Sequence, residues 1–109
     1  MVKLENISRV WVETLDREIL EVLVSKGKIV RLERAISPKS DTPSKVYDQD
    51  EDEFVMVAKG YAEIEFEEDG RKVIKIMREG DYTIIPAHLK HRVTKTEEGT
   101  AWLALFYTK

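Results

Sequence analysis

His88 and His91 are the only histidines in the 109-residue sequence, and cysteine is absent. Any acid–base or metal chemistry must therefore come from these two imidazoles, the carboxylates, and amide or phenol oxygens. Without cysteine there is no thiolate metal site and no disulfide framework. Imidazole with carboxylate and amide oxygen suits Zn, Mn, Fe or Ni. A cation with open positions could polarise a substrate oxygen or activate water. The same groups can instead satisfy one another, because buried Glu and His pair readily and Tyr and Gln complete the hydrogen bonding. Residue types alone leave both readings open. No Gly-x-Ser-x-Gly nucleophile turn and no glycine-rich phosphate loop is present.

Spacing singles out two blocks. Glu53 is followed after six residues by Gly60. Gly80 is followed after five residues by Pro86, then Ala87, His88, His91 and, after three more, Lys95. The blocks, residues 47–60 and 80–95, resemble the paired motifs of the cupin superfamily. That resemblance implies a double-sheet jelly-roll barrel. His88 stands where the second motif usually has Gly, and Lys95 where it usually has Asn. The first motif usually begins with two histidines. In one register their positions hold Tyr47 and Gln49, in the other Val46 and Asp48. The usual three-histidine, one-glutamate metal site therefore cannot form, and position by position only Glu53 and His91 carry over as ligands. The chain is similar to a subgroup of small bacterial and archaeal cupins, and this likeness implies the barrel but no activity.

Strand geometry favours the Tyr47 and Gln49 register, since residues an even number apart share a face. Tyr47, Gln49 and Glu53 then point together, with His91 opposite and His88 at the mouth of the same turn. The expected ligand pocket is Tyr47, Gln49, Glu53, His88 and His91. A divalent metal there (Zn, Mn, Fe or Ni) would take Glu53, His91 and Gln49. If the protein is an enzyme, His88 or Tyr47 is the candidate for handling the proton, His88 because its charge can change near neutral pH.

Strands must position these groups. Tyr61 to Glu67 alternates strictly, with Ala62, Ile64 and Phe66 on one face and Glu63, Glu65 and Glu67 on the other. Asp69-Gly70 is a hairpin signal, and Arg71 to Met77 is the return strand. Phe54 to Ala58 is apolar at every position, which suits a strand buried on both faces. Tyr82 to Ile85 ends at Pro86. His91 to Thr96 and Thr100 to Tyr107 follow. Upstream, Ile19 to Val24 and Lys28 to Ile36 flank a turn at Ser25-Lys26-Gly27, with a helix over Thr14 to Leu23 as the competing reading. Ser37 to Ser44, with two prolines, reads as a loop reaching to residue 46. Many short strands with frequent turns indicate an all-β sandwich or closed barrel, one domain over residues 1–109.

The remaining candidates have structural readings. Asp48 to Glu53 holds five carboxylates in six residues, a solvated loop or an acidic rim that attracts cations. Lys90, Arg92 and Lys95 form a basic set. Arg92 is expected to pair with the acidic run, and an anion site is the minor reading. Trp11 and Trp102 read as packing residues, Met56 and Met77 as gap fillers. The net charge of −3 argues against nucleic-acid binding. No apolar stretch is long enough to span a membrane, the N-terminus does not resemble a signal peptide, and a cytoplasmic location is expected. Apolar strands at Phe54–Ala58 and Trp102–Tyr107 suggest a homodimer. The function expected is binding of a small polar ligand inside the barrel, with or without a divalent metal. The alternative is a metal-dependent isomerase or oxygenase.

Overall fold

Alternating side chains decide the architecture. The computed structural model describes residues 17–26 and 28–108. Eight strands occupy most of this span: β1 (Ile19–Lys26), β2 (Ile29–Ser37), β3 (Asp52–Lys59), β4 (Tyr61–Glu68), β5 (Arg71–Arg78), β6 (Tyr82–Ile85), β7 (His91–Thr96) and β8 (Thr100–Tyr107). Among the described residues there is no helix. Ile19 to Leu23 is strand, so the helical alternative does not form there. Trp11, residues 14–16 of that alternative, and Gly27 lie outside the described residues.

The strands form two antiparallel sheets, β1-β2-β8-β3-β6 and β5-β4-β7. Their facing sides make the core. Val55 and Val57 of β3 meet Ala62, Ile64 and Phe66 of β4, with Met77, Ile85, Trp102, Ala104 and Phe106 closing the cluster. The expected alternation of β4 is therefore present, with Ala62, Ile64 and Phe66 all buried. Strand β3 departs from expectation. Val55 and Val57 are buried but Phe54 and Met56 are only half-buried. On its outer face Phe54 leans on Tyr82 of β6, ring centroids 5.3 Å apart. Met77 fills the core, whereas Met56 sits on that half-covered outer face. Trp102 packs in the core and its indole N–H donates to Ser37 Oγ at 3.0 Å.

One turn closes a hairpin and another crosses between the sheets. Asp69 and Gly70 both take left-handed φ, 50° and 76°, the conformation that matches hairpin twist. At Gly60 the chain leaves one sheet for the other. Its φ is +98°, and a Cβ there would lie 2.7 Å from Thr100 Oγ1 and 2.9 Å from Thr100 Cα. Thr100 is fully buried and its hydroxyl bonds to Tyr61 and Glu97. The glycine of the first motif is thus required both by backbone conformation and by close approach.

The segment after β2 is more ordered than its prolines suggest. It runs antiparallel beside β7 as an interrupted strand. Ser40 exchanges two backbone bonds with Thr96 (3.0 and 2.9 Å), Ser44 N–H donates to Val93 O at 2.8 Å, and Tyr47 exchanges two with His91 (2.7 and 3.1 Å). Pro43 falls between the anchored Ser40 and Ser44 and Pro38 precedes them, at positions where no ladder donor is needed. No helix among the described residues is long and apolar enough to cross a membrane.

Candidate functional site

A cavity of about 350 Å³ lies between the sheets. Tyr47, Gln49, Glu53 and His91 line it together with apolar Val55, Ile64, Ile85, Trp102 and Phe106. His88 does not line it.

Glu53 is carried into the cavity by the inward face of β3, between Phe106 on β8 and Ile85 on β6. It is 8% exposed. Burial pushes its carboxyl up from 4.5 to about 7. Gln49 Nε2 donates to Glu53 Oε1 at 3.1 Å and opposes that rise, while nearby Glu33 adds to it and Arg31 offsets it.

His91 opens β7, with its ring between Tyr47 (centroids 5.7 Å apart, 24° between planes) and Phe66 (6.1 Å, 30°). Its Nδ1 lies 2.8 Å from Leu89 O. A carbonyl only accepts, so Nδ1 carries the proton and donates it, and in the neutral ring Nε2 presents a lone pair. That nitrogen points toward Glu53 Oε1, 3.9 Å away. This exceeds a hydrogen bond, and among the described residues Nε2 has no hydrogen-bond partner. Oxygen about 2.8 Å from each group would bridge the gap. The Tyr47 hydroxyl is held above its usual range by burial, with Glu18 and Glu53 adding to the shift.

His88 stands at the rim. Its φ is +67°, which gives the physical reason glycine is usual at this motif position. The ring is largely exposed and bonds to Asp48 (2.8 Å) and Asp50 (3.4 Å). The hydrogen bond that its Nδ1 donates to the Asp48 carboxylate raises the pKa of the imidazole.

The acidic run is mostly partnered rather than freely solvated. Asp48 and Asp50 hold His88, Glu51 accepts from Arg31 Nη1 at 2.7 Å, Asp52 accepts from Ala87 N–H at 2.8 Å, and Glu53 enters the cavity. The expected pairing of Arg92 with this run does not occur. Arg92 bonds Glu65 at 2.8 Å across β7 and β4, because that register puts the two opposite each other. Neither it nor Lys90 or Lys95 lines the cavity.

Arg31 and Glu33 of β2 were missed by sequence reasoning. Both line the cavity, as does Glu18 at its exposed mouth. Arg31 bonds Glu33 and Glu51, and its guanidinium lies 4.0 Å from the Phe106 ring centroid. The signal available was parity, since residues 31, 33 and 35 share a face. It pointed the wrong way, because the opposite face carries Val30, Leu32 and Ile36.

As a metal centre the donors fall short. Glu53 and His91 are two strong donors, and Gln49 turns its amide nitrogen toward Glu53. Catalytic zinc sites use three protein ligands and structural ones four. No group of three or more His, Asp or Glu suited to a metal ion occurs among the described residues. The residues present do not make a resident metal cage.

Comparison with known proteins agrees with this architecture. The family model described as "Cupin domain" matches residues 32–106. A solved structure described as a "putative mannose-6-phosphate isomerase" from Ralstonia eutropha JMP134 is 33% identical, with a TM-score of 0.82, covering 99% of this chain and 100% of that one. A cupin superfamily protein from Desulfitobacterium hafniense DCB-2 is 14% identical, with a TM-score of 0.71 and coverage of 92% and 84%. KdgF from Halomonas sp. is 17% identical, with a TM-score of 0.71 and coverage of 96% and 91%. These last two show likeness of fold alone. No curated protein matches the sequence.

Proposed function

Because this chain belongs to the cupin family, we propose that it binds one small polar organic molecule in the cavity between its sheets. The observation that carries this reading is the Glu53–His91 pair. Two buried polar groups face each other across 3.9 Å in a ligand-sized cavity with both polar and apolar walls, and among the described residues Nε2 has no hydrogen-bond partner. Near neutral pH, Glu53 is split between its protonated and ionised forms. The protonated carboxyl donates, and Nε2 accepts. A ligand hydroxyl between them can satisfy both groups, while the apolar walls hold its carbon skeleton. Gln49 orients the carboxylate, and Tyr47 covers the imidazole. Cytoplasmic location remains part of the proposal.

The test is a fragment titration followed by the backbone amide signals of Tyr47, Gln49 and His91. Binding at the proposed site moves these signals together, and Glu53→Gln or His91→Ala weakens it about tenfold or more, as expected for a lost buried hydrogen bond. A small-molecule panel that moves none of them would sink the reading.

Metal-dependent isomerase or oxygenase chemistry is the second reading of the family resemblance. The Ralstonia protein's description as an isomerase and the two strong donors, Glu53 and His91, stand for it, and the short donor set stands against it. After loading with Zn, Mn, Fe or Ni, the purified protein is expected to retain less than stoichiometric metal through gel filtration. Stoichiometric metal, lost in Glu53→Ala and His91→Ala, would reverse the preference.

A further inference from the structure

We propose that the cavity takes a small organic cation, a protonated amine on a short apolar body, and excludes anions such as sugar phosphates. This rests on the binding reading above and adds the charge of the ligand to it.

Charge and wall chemistry together carry the inference. Among the described residues three carboxylates line the cavity, Glu18, Glu33 and Glu53, against one guanidinium, Arg31. Arg31 is already bonded to Glu33 and to Glu51. Its remaining flat face lies over Phe106. Among the described residues no other Lys or Arg lines the space, so a phosphate or carboxylate there would meet no available cation from them. Lys45 sits above the Tyr47 ring at 5.2 Å and does not line the cavity.

The field inside agrees with the geometry. Glu18 and Glu53 both have raised pKa values, burial first, and both are raised further by Glu33. Like charges gathered inside the cavity and at its mouth are relieved by a cation placed among them. The walls suit an organic cation rather than a bare ion. Trp102 adds an aromatic wall, of the kind that attracts ammonium groups, and Val55, Ile64 and Ile85 accept a hydrocarbon body. His91 adds an independent sign of a ligand. It is 7% exposed, and Nε2 faces the cavity with no hydrogen-bond partner among the described residues, ready to accept an ammonium N–H.

A matched series separates charge from shape: benzylamine, benzyl alcohol, benzoate and benzyl phosphate, titrated into the full chain by calorimetry and by the amide signals of Tyr47 and His91. Benzylamine is expected to bind about tenfold more tightly than the alcohol, with the two anions below detection. Glu33→Gln is expected to cut the advantage of the amine over the alcohol several-fold. Because that substitution also releases Arg31, the exposed Glu18→Gln serves as the second variant and is expected to act in the same direction. Equal binding of alcohol and amine, or preference for either anion, overturns the cation inference and leaves cavity binding standing. No binding by any of the four overturns both.

Discussion

Glu53 and His88 show how position converts the same chemistry into different behaviour. Glu53 is buried and holds its proton up to about pH 7 in the folded state, against 4.5 ordinarily. Between those values the folded chain binds the proton that the unfolded chain has released. Its contribution to stability is therefore fully present below about pH 4.5 and is lost as pH rises to about 7, a change of about 3 kcal/mol at most. Urea unfolding at pH 5 and pH 8 should show this fall in the native chain and a much shallower one in Glu53→Gln. Equal slopes would contradict the environment described for Glu53. His88 is exposed, and its pair with Asp48 raises its imidazole. This contribution is present below the ordinary histidine range and fades as pH rises through the raised folded value. Its left-handed backbone adds a second effect. His88→Ala inherits the φ of +67° without the Asp48 bond, whereas His88→Gly relieves the backbone. Thermal melts should therefore rank His88→Gly above His88→Ala, and the reverse order would count against strain at this position.

The crossing at Gly60 and the interrupted strand beside β7 are the elements that build the site. Gly60→Ala forces a Cβ against Thr100 as well as an unfavourable φ, and a loss of about 2–4 kcal/mol is expected, measured by denaturant unfolding. A loss near zero would mean the close approach relaxes freely. The strand beside β7 presents Tyr47 to His91 and carries Gln49 toward Glu53. Its backbone bonds predict an alternation in hydrogen exchange, with slow amides at Ser40, Ser44 and Tyr47 and fast ones at Asp41 and Lys45. Uniformly fast exchange would show that the segment does not hold the site. Its composition of serine, proline and charge gave a loop, and the β-pairing was not legible because its partner, β7, lies some fifty residues away. The hairpins were legible because both strands and the turn are contiguous.

At the scale of the molecule, the two sheets are unequal, five strands facing three. The outer side of the larger sheet carries an apolar strip. Phe54 pairs in register with Ile84 and Leu105, and Met56 with Tyr82 and Leu103. Tyr82 is 66% exposed and Ile84 49%. The homodimer expected from the sequence is proposed on this face, with a second copy covering the strip. Sedimentation equilibrium should give a dimer that Tyr82→Asp shifts toward monomer, and a native monomer would remove the proposal. Several charges find their partners only at this scale. Arg31 reaches Glu51, Arg92 reaches Glu65, and His88 reaches Asp48, each across many residues of sequence.

The sequence by itself determined the strand alternation of β4, the turns around it, the two motif blocks and hence the cupin barrel, because those features depend on neighbours within a few residues. Resemblance to the paired motifs also singled out Glu53 and His91, which line one cavity in the structure. Only the tertiary structure decided that Arg31 and Glu33 face inward, that His88 stays on the rim, and that the acidic run is mostly bonded. A period of two fixes which residues share a face but not which face turns inward. That choice is made by pairing with distant strands, and on β2 it places charge toward the cavity where local hydrophobicity alone would have placed it outside.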